Sequence, residues 1–218
     1  MAIDVKQGEC LNSVMASLPG EETGHMRRVG VYAGVLARWL FGTIGCHECG
    51  CLRKAAAYHD IGKAWIARDI LLKPDRLTKE ELEILRTHPL HAKAWFDARG
   101  EALKMDMPDG LWEWTVQCAV YHHEWFNGSG YPFGLAGGAI PLAARITGVC
   151  DAYDAMTSDR VYRKGHTHAF ACQELLANAG GQFDPSIVQV FLEQEAVFSQ
   201  LERNLQATAA AGEPPAAG

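Results

Sequence analysis

The sequence predicts an all-α protein, and three observations support this fold class. Apolar residues recur at helical spacing through most of the 218 residues, whereas no stretch alternates apolar and polar residues as a half-buried strand would. Helix-breaking pairs such as Pro19-Gly20 separate these apolar segments. A capping box, with Thr78 followed three residues later by Glu81, indicates another helix start. We therefore expect about eight to ten helices packed around one core.

The composition is that of an acidic globular chain. Hydrophobic residues make up 48% of it and charged residues 21%, and the formal net charge is −6. This balance excludes the broad basic surface that duplex nucleic acid or an anionic membrane requires. No apolar run approaches the roughly 20 residues of a membrane span, and residues 1–6 lack a signal-peptide pattern. We expect a cytoplasmic protein, and the sequence does not indicate its oligomeric state.

Helical periodicity in the first half of the chain predicts a series of helices separated by short breaks. The second of them carries a continuous apolar stripe up to Leu40, and the third ends at Gly62. Pro89 is expected to stop the capped helix that precedes it. The predicted helices cover residues 5–18, 21–40, a third that Gly62 stops, 65–72, 78–88 and 91–98, with a loop over 100–110.

The second half predicts four further helices and a glycine-rich loop over residues 124–139. The helices cover 111–122, a segment opened by Pro141, 167–179 and 185–203. The predicted organisation is an N-terminal helix within 1–20, one domain over 21–203, and a tail over 204–218. That tail consists mostly of Ala, Gly and Pro towards its end, so it has too little to bury and is expected to be disordered.

Seven cysteines without a secretory signal predict reduced thiols. Cys118 and Cys150 fall within apolar helical patterns and are interpreted as small core residues. Cys46, Cys49 and Cys51 lie close together with a histidine between them, which is the spacing of a zinc knuckle. No second pair completes a tetrahedron, so a thiol-bearing turn is the simpler interpretation and a structural zinc the alternative.

Two doublets at helix ends carry chemistry that apolar packing does not explain. His59-Asp60 closes the third helix, and His122-His123 closes an otherwise apolar helix. Neighbouring residues on a helix point about 100° apart, so burial in the core accounts for one member of each doublet and not for both. A single ion at the helix edge would collect both members.

Eight residues in all are candidate metal ligands, comprising five imidazoles and three carboxylates. Each has an ordinary explanation alone, such as a first-turn glutamate or a C-terminal histidine that complements the helix dipole. Together they suit iron, manganese, cobalt or nickel rather than a thiolate zinc site, and their number fits two metals. The candidates are Glu21, His25, His59, Asp60, His88, His122, His123 and Asp151.

Several motifs follow one another in a fixed order between residues 21 and 192. They are His59-Asp60-Ile61-Gly62-Lys63, His88-Pro89, His122-His123-Glu124, Asn127-Gly128-Ser129-Gly130-Tyr131-Pro132, Ile140-Pro141-Leu142, a run from Asp151 to Arg160, and Phe183-Asp184-Pro185. With these motifs the chain resembles the HD-GYP family of cyclic-dinucleotide phosphodiesterases, a branch of the HD metal-dependent phosphohydrolases. The resemblance implies an HD-domain helical bundle with a C-terminal GYP-type extension.

The resemblance also implies roles for single residues. Seven of the candidates fall on the family's metal ligands, and Glu21 falls on the extra carboxylate of members that hold three metals. Lys63 falls on the lysine that contacts the reacting phosphate. Asn127, where the family usually has Asp, keeps a hydrogen bond but no charge. Substrate binding is implied for Asp154, Arg160 and Arg163, and Tyr131 is a candidate for stacking on guanine, with core packing as the alternative.

These expectations combine into a mechanism. A hydroxide that bridges two divalent ions, with iron or manganese favoured, attacks phosphorus in line, while Lys63 stabilises the charge that develops. Asp60 is expected to bridge the two ions, and His122 and His123 to serve one of them. The expected reaction is hydrolysis of cyclic di-GMP to pGpG, with a third ion favouring a second cut to GMP.

Three alternatives remain open at this point. One is another cyclic dinucleotide such as cyclic GMP-AMP, the second a catalytically silent module that binds a signal or a partner protein, and the third an HD-fold di-iron oxygenase. The Gly130-Tyr131-Pro132 loop argues against the oxygenase. The resemblance further implies signalling partners such as diguanylate cyclases.

Overall fold

The computed structural model describes residues 10–42, 47–104, 107–108, 110–159 and 164–210. Within these ranges the chain forms α-helices and two short 3-10 helices and no β-strand, which confirms the predicted all-α fold. The 3-10 helices are Ile61–Trp65 and Gly137–Ala139. The α-helices are α1 (Leu11–Ala16), α2 (Gly20–Leu40), α3 (His47–Ala56), α4 (Arg68–Leu71), α5 (Lys79–Leu85), α6 (His88–Lys104), α7 (Leu111–Tyr121), α8 (Leu142–Thr157), α9 (His168–Ala177), α10 (Pro185–Glu193) and α11 (Glu195–Ala210).

The long helix α2 is the centre of the bundle. It packs against α3 and α8, and α7 contacts α3, α6 and α8. The fully buried rings of Tyr32 on α2 and Tyr153 on α8 pack edge to face, with centroids 5.2 Å apart. This packing fixes α8 relative to α2, which matters because both helices carry polar side chains of the candidate site. No helix of the described residues combines the length and the apolar character needed to cross a membrane.

Helix α1 is part of the domain rather than a separate N-terminal element. Its buried residues Leu11 and Val14 belong to one hydrophobic cluster with Met26 of α2 and Trp95 of α6. Helix α1 therefore packs on the part of the chain predicted as the 21–203 domain. Residues 1–9 lie outside the described part of the chain.

Two predicted helix boundaries are wrong in a way that bears on the site. α3 ends at Ala56, three residues before His59, and the following residues form a turn. Pro89 does not stop a helix but lies in the first turn of α6, which begins at His88. A proline is tolerated there because the first N–H groups of a helix have no intrahelical acceptor.

The C-terminal region also differs from the prediction. A break at Gln194 divides the predicted 185–203 helix into α10 and α11. The tail predicted from residue 204 is helical as far as Ala210, because Leu205 is buried and the Gln206 side chain donates a hydrogen bond to the Thr157 carbonyl (3.1 Å). Residues 211–218 lie outside the described part of the chain.

The cysteines correct one expectation and support another. Cys49 is in a disulfide, so the prediction of reduced thiols is wrong there, and its sulfur is not available as a thiolate ligand for zinc. Cys46 lies outside the described residues. Cys51 is free, with its sulfur 3.7 Å from the His47 ring. Cys118 and Cys150 are free and fully buried, as expected for core residues.

Candidate metal centre

Both doublets lie just after a helix has ended, and this allows neighbouring side chains to converge. Asp60 has φ −98° and ψ 13°, outside regular helical geometry, and its Oδ2 lies 3.2 Å from Nε2 of His59. His122 is the C-cap of α7, and its ring centroid is 4.0 Å from that of His123. Each doublet therefore presents two donor groups to the same region.

Two glycines let the backbone segments of the site approach closely. A Cβ on Gly62 would lie 1.9 Å from the carbonyl oxygen of His88, so the 3-10 helix after Asp60 packs directly on the start of α6. A Cβ on Gly148 would lie 2.9 Å from the carbonyl oxygen of His122, which brings α8 against the end of α7. The close approach at Gly62 places Asp60 beside His88, and the one at Gly148 places α8 beside His122.

Seven of the eight candidate ligands fall into two adjacent groups. Within each group, the possible ligand atoms lie within 4.8 Å of one another. The first group, called the His25 group below, consists of His25, His59 and Asp151, and the second, the His88 group, consists of Asp60, His88, His122 and His123. Nε2 of His25 is 3.1 Å from Oδ1 of Asp151.

Asp60 faces both groups at once. Its Oδ2 lies 3.2 Å from Nε2 of His59 and 3.8 Å from Nε2 of His25. Its Oδ1 lies 3.0 Å from Nε2 of His88 and 3.7 Å from Nε2 of His122. The side chain is therefore placed as a bridging carboxylate would be, which supports the role expected for it from the sequence.

The hydrogen bonds of the imidazoles leave their inward nitrogens free for a cation. Three of the rings use Nδ1 to bond a backbone carbonyl of the preceding turn, which assigns the proton to Nδ1 and the lone pair to Nε2. These bonds join His59 to Ala56 (2.9 Å), His88 to Leu85 (2.8 Å) and His122 to Cys118 (2.7 Å). Nε2 of each of these rings and Oδ1 of Asp60 are buried without a hydrogen-bond partner in the described structure. Buried acceptors of this kind are costly unless a cation binds them, so the residues fit a metal centre.

The chain is similar to known proteins in sequence and in fold. Residues 15–187 match the family described as HD domain. The chain belongs to the HD domain family. The Bdellovibrio bacteriovorus protein Bd1817, described as an HDG"Y"P protein, superposes with a TM-score of 0.55 at 20% identity, covering 83% of this chain and 55% of that one. A cyclic GMP-AMP specific phosphodiesterase of V. cholerae (V-cGAP3) gives 0.52 at 19% identity, covering 93% and 50%. The resemblance predicted from the sequence is confirmed.

Relatives of this HD domain carry related names. A probable cyclic di-GMP phosphodiesterase of Vibrio cholerae is 37% identical over 84% of this chain and 43% of its own length. The cyclic di-GMP phosphodiesterase PA4108 of Pseudomonas aeruginosa is 40% identical over 66% of this chain and 32% of its own. The 3'3'-cGAMP-specific phosphodiesterase 2 of Vibrio cholerae is 33% identical over 84% and 34%. The chain thus spans less than half the length of these relatives.

Asp154 of this HD domain holds a ligand histidine rather than facing solvent. Its Oδ2 lies 2.7 Å from Nδ1 of His25, and Arg28 donates to both of its oxygens, from Nε (2.7 Å) and Nη2 (2.9 Å). Asp154 is 0% exposed, and both of its carboxylate oxygens are engaged by His25 and Arg28. Asp154 and Arg28 therefore position His25, and the substrate-binding role expected for Asp154 stays a prediction.

We expect Asp154→Asn to weaken metal binding in the His25 group. Losing a carboxylate behind a ligand imidazole costs about 10- to 100-fold in metal affinity. The metal content of the variant, measured after equilibrium dialysis, should fall by one ion per chain. Asp159→Asn is the matched control, since the exposed Asp159 carboxylate bonds only Lys164 and the Gly165 amide among the described residues. Two tightly held ions in Asp154→Asn would contradict the assignment.

The two groups hold their protons differently. Burial alone would lower the pKa of His25, but hydrogen bonds and charges from Asp151 and Asp154 outweigh it and raise that pKa to about 9. Burial lowers the pKa of His122, and burial together with the neighbouring imidazoles lowers that of His123. At neutral pH a cation must therefore displace a proton from His25, whereas His122 and His123 are already neutral.

We expect a pH dependence that separates the two sites. The affinity of the His25 group for Mn²⁺ should rise about tenfold per pH unit between about pH 7 and 9, because one proton leaves per ion bound. It should level off above the pKa of His25, and the affinity of the His88 group should change little over the same range. Calorimetric titration in buffers of different ionisation enthalpy measures the proton released. Equal proton release at both sites would contradict this expectation.

Lys63 and Glu22 form an ion pair at the edge of the centre. Nζ of Lys63 lies 2.7 Å from Oδ2 of Asp60 and 2.7 Å from Oε2 of Glu22. Burial favours the neutral amine, but the two carboxylates outweigh it and raise the pKa of Lys63 above its usual value. The carboxyl pKa of Asp60 is held well below its usual value, because the charge of Lys63 opposes the effect of burial. A fixed positive charge thus lies beside the bridging carboxylate.

Glu21, the eighth candidate, is outside both groups of ligands. It is exposed and lines a small surface pocket together with Glu22, Arg28 and Asp159. Sequence spacing does not separate the two glutamates, because residues three and four before His25 lie on the same helix face. Glu22 is therefore one residue that the sequence analysis missed, because its pairing with Lys63 becomes visible only in three dimensions.

The Gly130-Tyr131-Pro132 loop folds back on the second doublet. A Cβ on Gly130 would lie 2.2 Å from the amide nitrogen of Trp125, so only glycine fits. The amide of Tyr131 donates to the His123 carbonyl (3.1 Å), and the two rings stack with centroids 4.7 Å apart. The guanidinium of Arg86 lies 5.5 Å from the centroid of the Tyr131 ring. The loop therefore places an aromatic ring and a cation at the edge of the His88 group.

Two further side chains shape this loop. Glu124, which the sequence analysis did not single out, is buried and accepts hydrogen bonds from the amides of Phe133 (2.7 Å) and Leu135 (2.9 Å). Asn127 accepts hydrogen bonds from the amide of Ser129 (2.9 Å) and from its hydroxyl (2.7 Å), so the hydrogen bond expected at this position is present. Arg160 and Arg163, the remaining candidates for substrate binding, lie outside the described residues.

Proposed function

We propose that this chain is a metal-dependent phosphodiesterase that hydrolyses cyclic di-GMP to pGpG. The observation that carries the proposal is the pair of ligand groups facing the two oxygens of Asp60. The names of the relatives in Vibrio cholerae and Pseudomonas aeruginosa support the substrate class. The chain spans less than half of those proteins, so the activity of the whole relatives comes to this chain only as part of the proposal.

With metal ions bound, the charges of the site suit an anionic substrate. Asp60 and Asp151 contribute two negative charges, and Lys63 contributes a positive one, so two divalent ions would make the centre positive although the chain carries −6. The imidazole-rich ligand set favours iron or manganese. Bound ions of this kind activate water and neutralise charge on the phosphoryl oxygens.

Side chains of the protein orient the ligand groups and stabilise the charge of the phosphate. Asp60 orients both ligand groups, and Lys63, held between Asp60 and Glu22, offers its ammonium to a non-bridging phosphoryl oxygen. Asp151, whose side chain is 19% exposed, lies on the open side of the centre. Glu21 and Glu22 are the carboxylates available to a third ion and a second cut to GMP.

The bases of the dinucleotide are held at the edge of the centre. Tyr131 and Arg86 lie where a purine can stack or pair beside the His88 group. Arg160 and Arg163 contact the phosphates in this proposal, on the strength of the sequence resemblance. Signalling proteins such as diguanylate cyclases are its proposed partners, since they make the substrate.

The test is an assay of anaerobically purified protein loaded with iron or with manganese. Cyclic di-GMP and 3'3'-cGAMP are supplied separately, and the linear dinucleotides and mononucleotides are separated by chromatography. We expect pGpG to appear only with metal-loaded protein. Faster cleavage of 3'3'-cGAMP, the substrate named for two relatives, would overturn the choice of dinucleotide. Folded, metal-replete protein that cleaves neither would indicate a silent signal-binding module, and uptake of dioxygen would indicate an oxygenase.

A further inference from the structure

A third cluster of ligand-type side chains lies on the C-terminal helices, outside the metal centre. His168 and Cys172 of α9 and Glu195 at the start of α11 have possible ligand atoms within 4.8 Å of one another. Neither ligand group of the metal centre contains sulfur, whereas this cluster does. We propose that His168, Cys172 and Glu195 form a separate zinc-binding site.

The first two ligands are arranged by α9 itself. His168 and Cys172 are four residues apart, so they share one face of the helix. The sulfur of Cys172 lies 3.4 Å from Nε2 of His168, and Cys172 is 7% exposed. The thiol and one imidazole nitrogen therefore already point at a common position.

The other nitrogen of His168 is held from behind, as in known metal sites. The hydroxyl of Tyr153 on α8 lies 2.8 Å from Nδ1 of His168. This hydrogen bond fixes the orientation of the ring and leaves Nε2 on the side of the thiol. Because the Tyr153 ring is fully buried in the core, its hydroxyl is a rigid support for the imidazole.

The third ligand comes from the helix break that the sequence did not predict. Gln194 leaves helical geometry with φ −111° and ψ 17°, and Glu195 then begins α11. The break turns the Glu195 carboxylate towards α9, where its negative charge acts on both His168 and Cys172. Glu195 is exposed, so a cation can enter from solvent on this side.

The set of one nitrogen, one sulfur and one oxygen ligand selects the kind of cation. Zinc binds imidazole, thiolate and carboxylate in tetrahedral sites, and three protein ligands leave the fourth position to water. A thiolate disfavours manganese, magnesium and calcium, which prefer oxygen. Burial and the charge of Glu195 raise the pKa of Cys172 to about 11, so zinc binding would release a proton from this thiol.

The chain contains a matched pair that lacks the third ligand. His47 and Cys51 have the same four-residue spacing on α3, with 3.7 Å between the sulfur and the ring nitrogen. No carboxylate joins them into a three-ligand group within the described residues. A site that needs only a histidine and a thiol on one helix face would form there as well.

The experiment is a titration of the full chain with cobalt(II), which replaces zinc in such sites. A cobalt–thiolate bond gives a charge-transfer absorption in the near ultraviolet, and the metal centre, which has no cysteine ligand, does not contribute to it. In the unaltered chain and in Cys51→Ser, we expect this absorption to correspond to one thiolate-bound cobalt ion per chain. We expect its complete loss in Cys172→Ser and at least about tenfold weaker binding in Glu195→Gln. Tyr153→Phe should weaken cobalt binding about 10- to 100-fold.

The outcomes decide the proposal whether or not every variant folds. Circular dichroism checks the fold of Cys172→Ser, and the exposed position of Glu195 makes Glu195→Gln the decisive variant if Cys172→Ser unfolds. Absence of the absorption in the unaltered chain, its loss in Cys51→Ser, or unchanged cobalt affinity in Glu195→Gln would each overturn the site. Zinc analysis gives an independent measure, with one fewer zinc per chain expected in Cys172→Ser.

Discussion

Asp60→Asn is expected to reduce turnover of the cyclic dinucleotide about a thousandfold and to leave fewer than two ions bound per chain. The substitution keeps the size of the side chain but removes the charge that both ligand groups share. It also leaves the ammonium of Lys63 without the carboxylate that lies 2.7 Å away. A loss of about 4 kcal/mol in transition-state stabilisation corresponds to roughly this factor.

The measurements are turnover under saturating metal and metal content after dialysis. His47→Ala is the control, because His47 is on the surface at the start of α3 and belongs to neither ligand group. It should leave both quantities unchanged. An Asp60→Asn variant that keeps two ions and full turnover would show that Asp60 does not bridge the centre.

Gly62→Ala is expected to destabilise the protein by about 3 kcal/mol and to impair the His88 group. The new Cβ would lie 1.9 Å from the carbonyl oxygen of His88 and 2.9 Å from the amide nitrogen of Ala92, so α6 must move away. Forcing one extra carbon into a packed backbone contact typically costs about 1–3 kcal/mol, and backbone atoms yield less than side chains. His88 moves with α6, which separates its Nε2 from Asp60.

Denaturant unfolding and metal titration measure the two effects of Gly62→Ala. Gly50→Ala is the matched control, since a Cβ there meets nothing within 4 Å and the position is inside α3. The control should gain up to about 1 kcal/mol, because alanine favours a helix more than glycine does. Equal stability of the two variants would contradict the close packing of the 3-10 helix on α6.

Periodicity predicted the long helices well. The buried face of α2 runs from His25 to Ala37, and the predicted start differs from Gly20 by one residue, while the predicted end at Leu40 is correct. The predicted start of α7 coincides with the observed one at Leu111, directly after Gly110. In such segments the burial of one face determines the structure, and this face can be read directly from the residue order.

The sequence identified the clustered side chains better than it explained how they meet. His59-Asp60 and His122-His123 were expected on helices, where neighbours diverge, but the helices end first and the turns allow both members to converge. The choice between Glu21 and Glu22 depends on where Lys63 lies, which no local pattern contains. The same is true of the pairing of Asp154 with Arg28, because the two are separated by 126 positions.

The separation of the ligands along the chain has a consequence for how the protein matures. His25 is on α2, and its supporting carboxylate Asp154 comes 129 positions later on α8. During synthesis, early segments therefore emerge with imidazoles that cannot yet capture an ion, and α8 must dock before the first cavity is complete. Metal binding by the His25 group therefore has to follow the docking of α8 on α2.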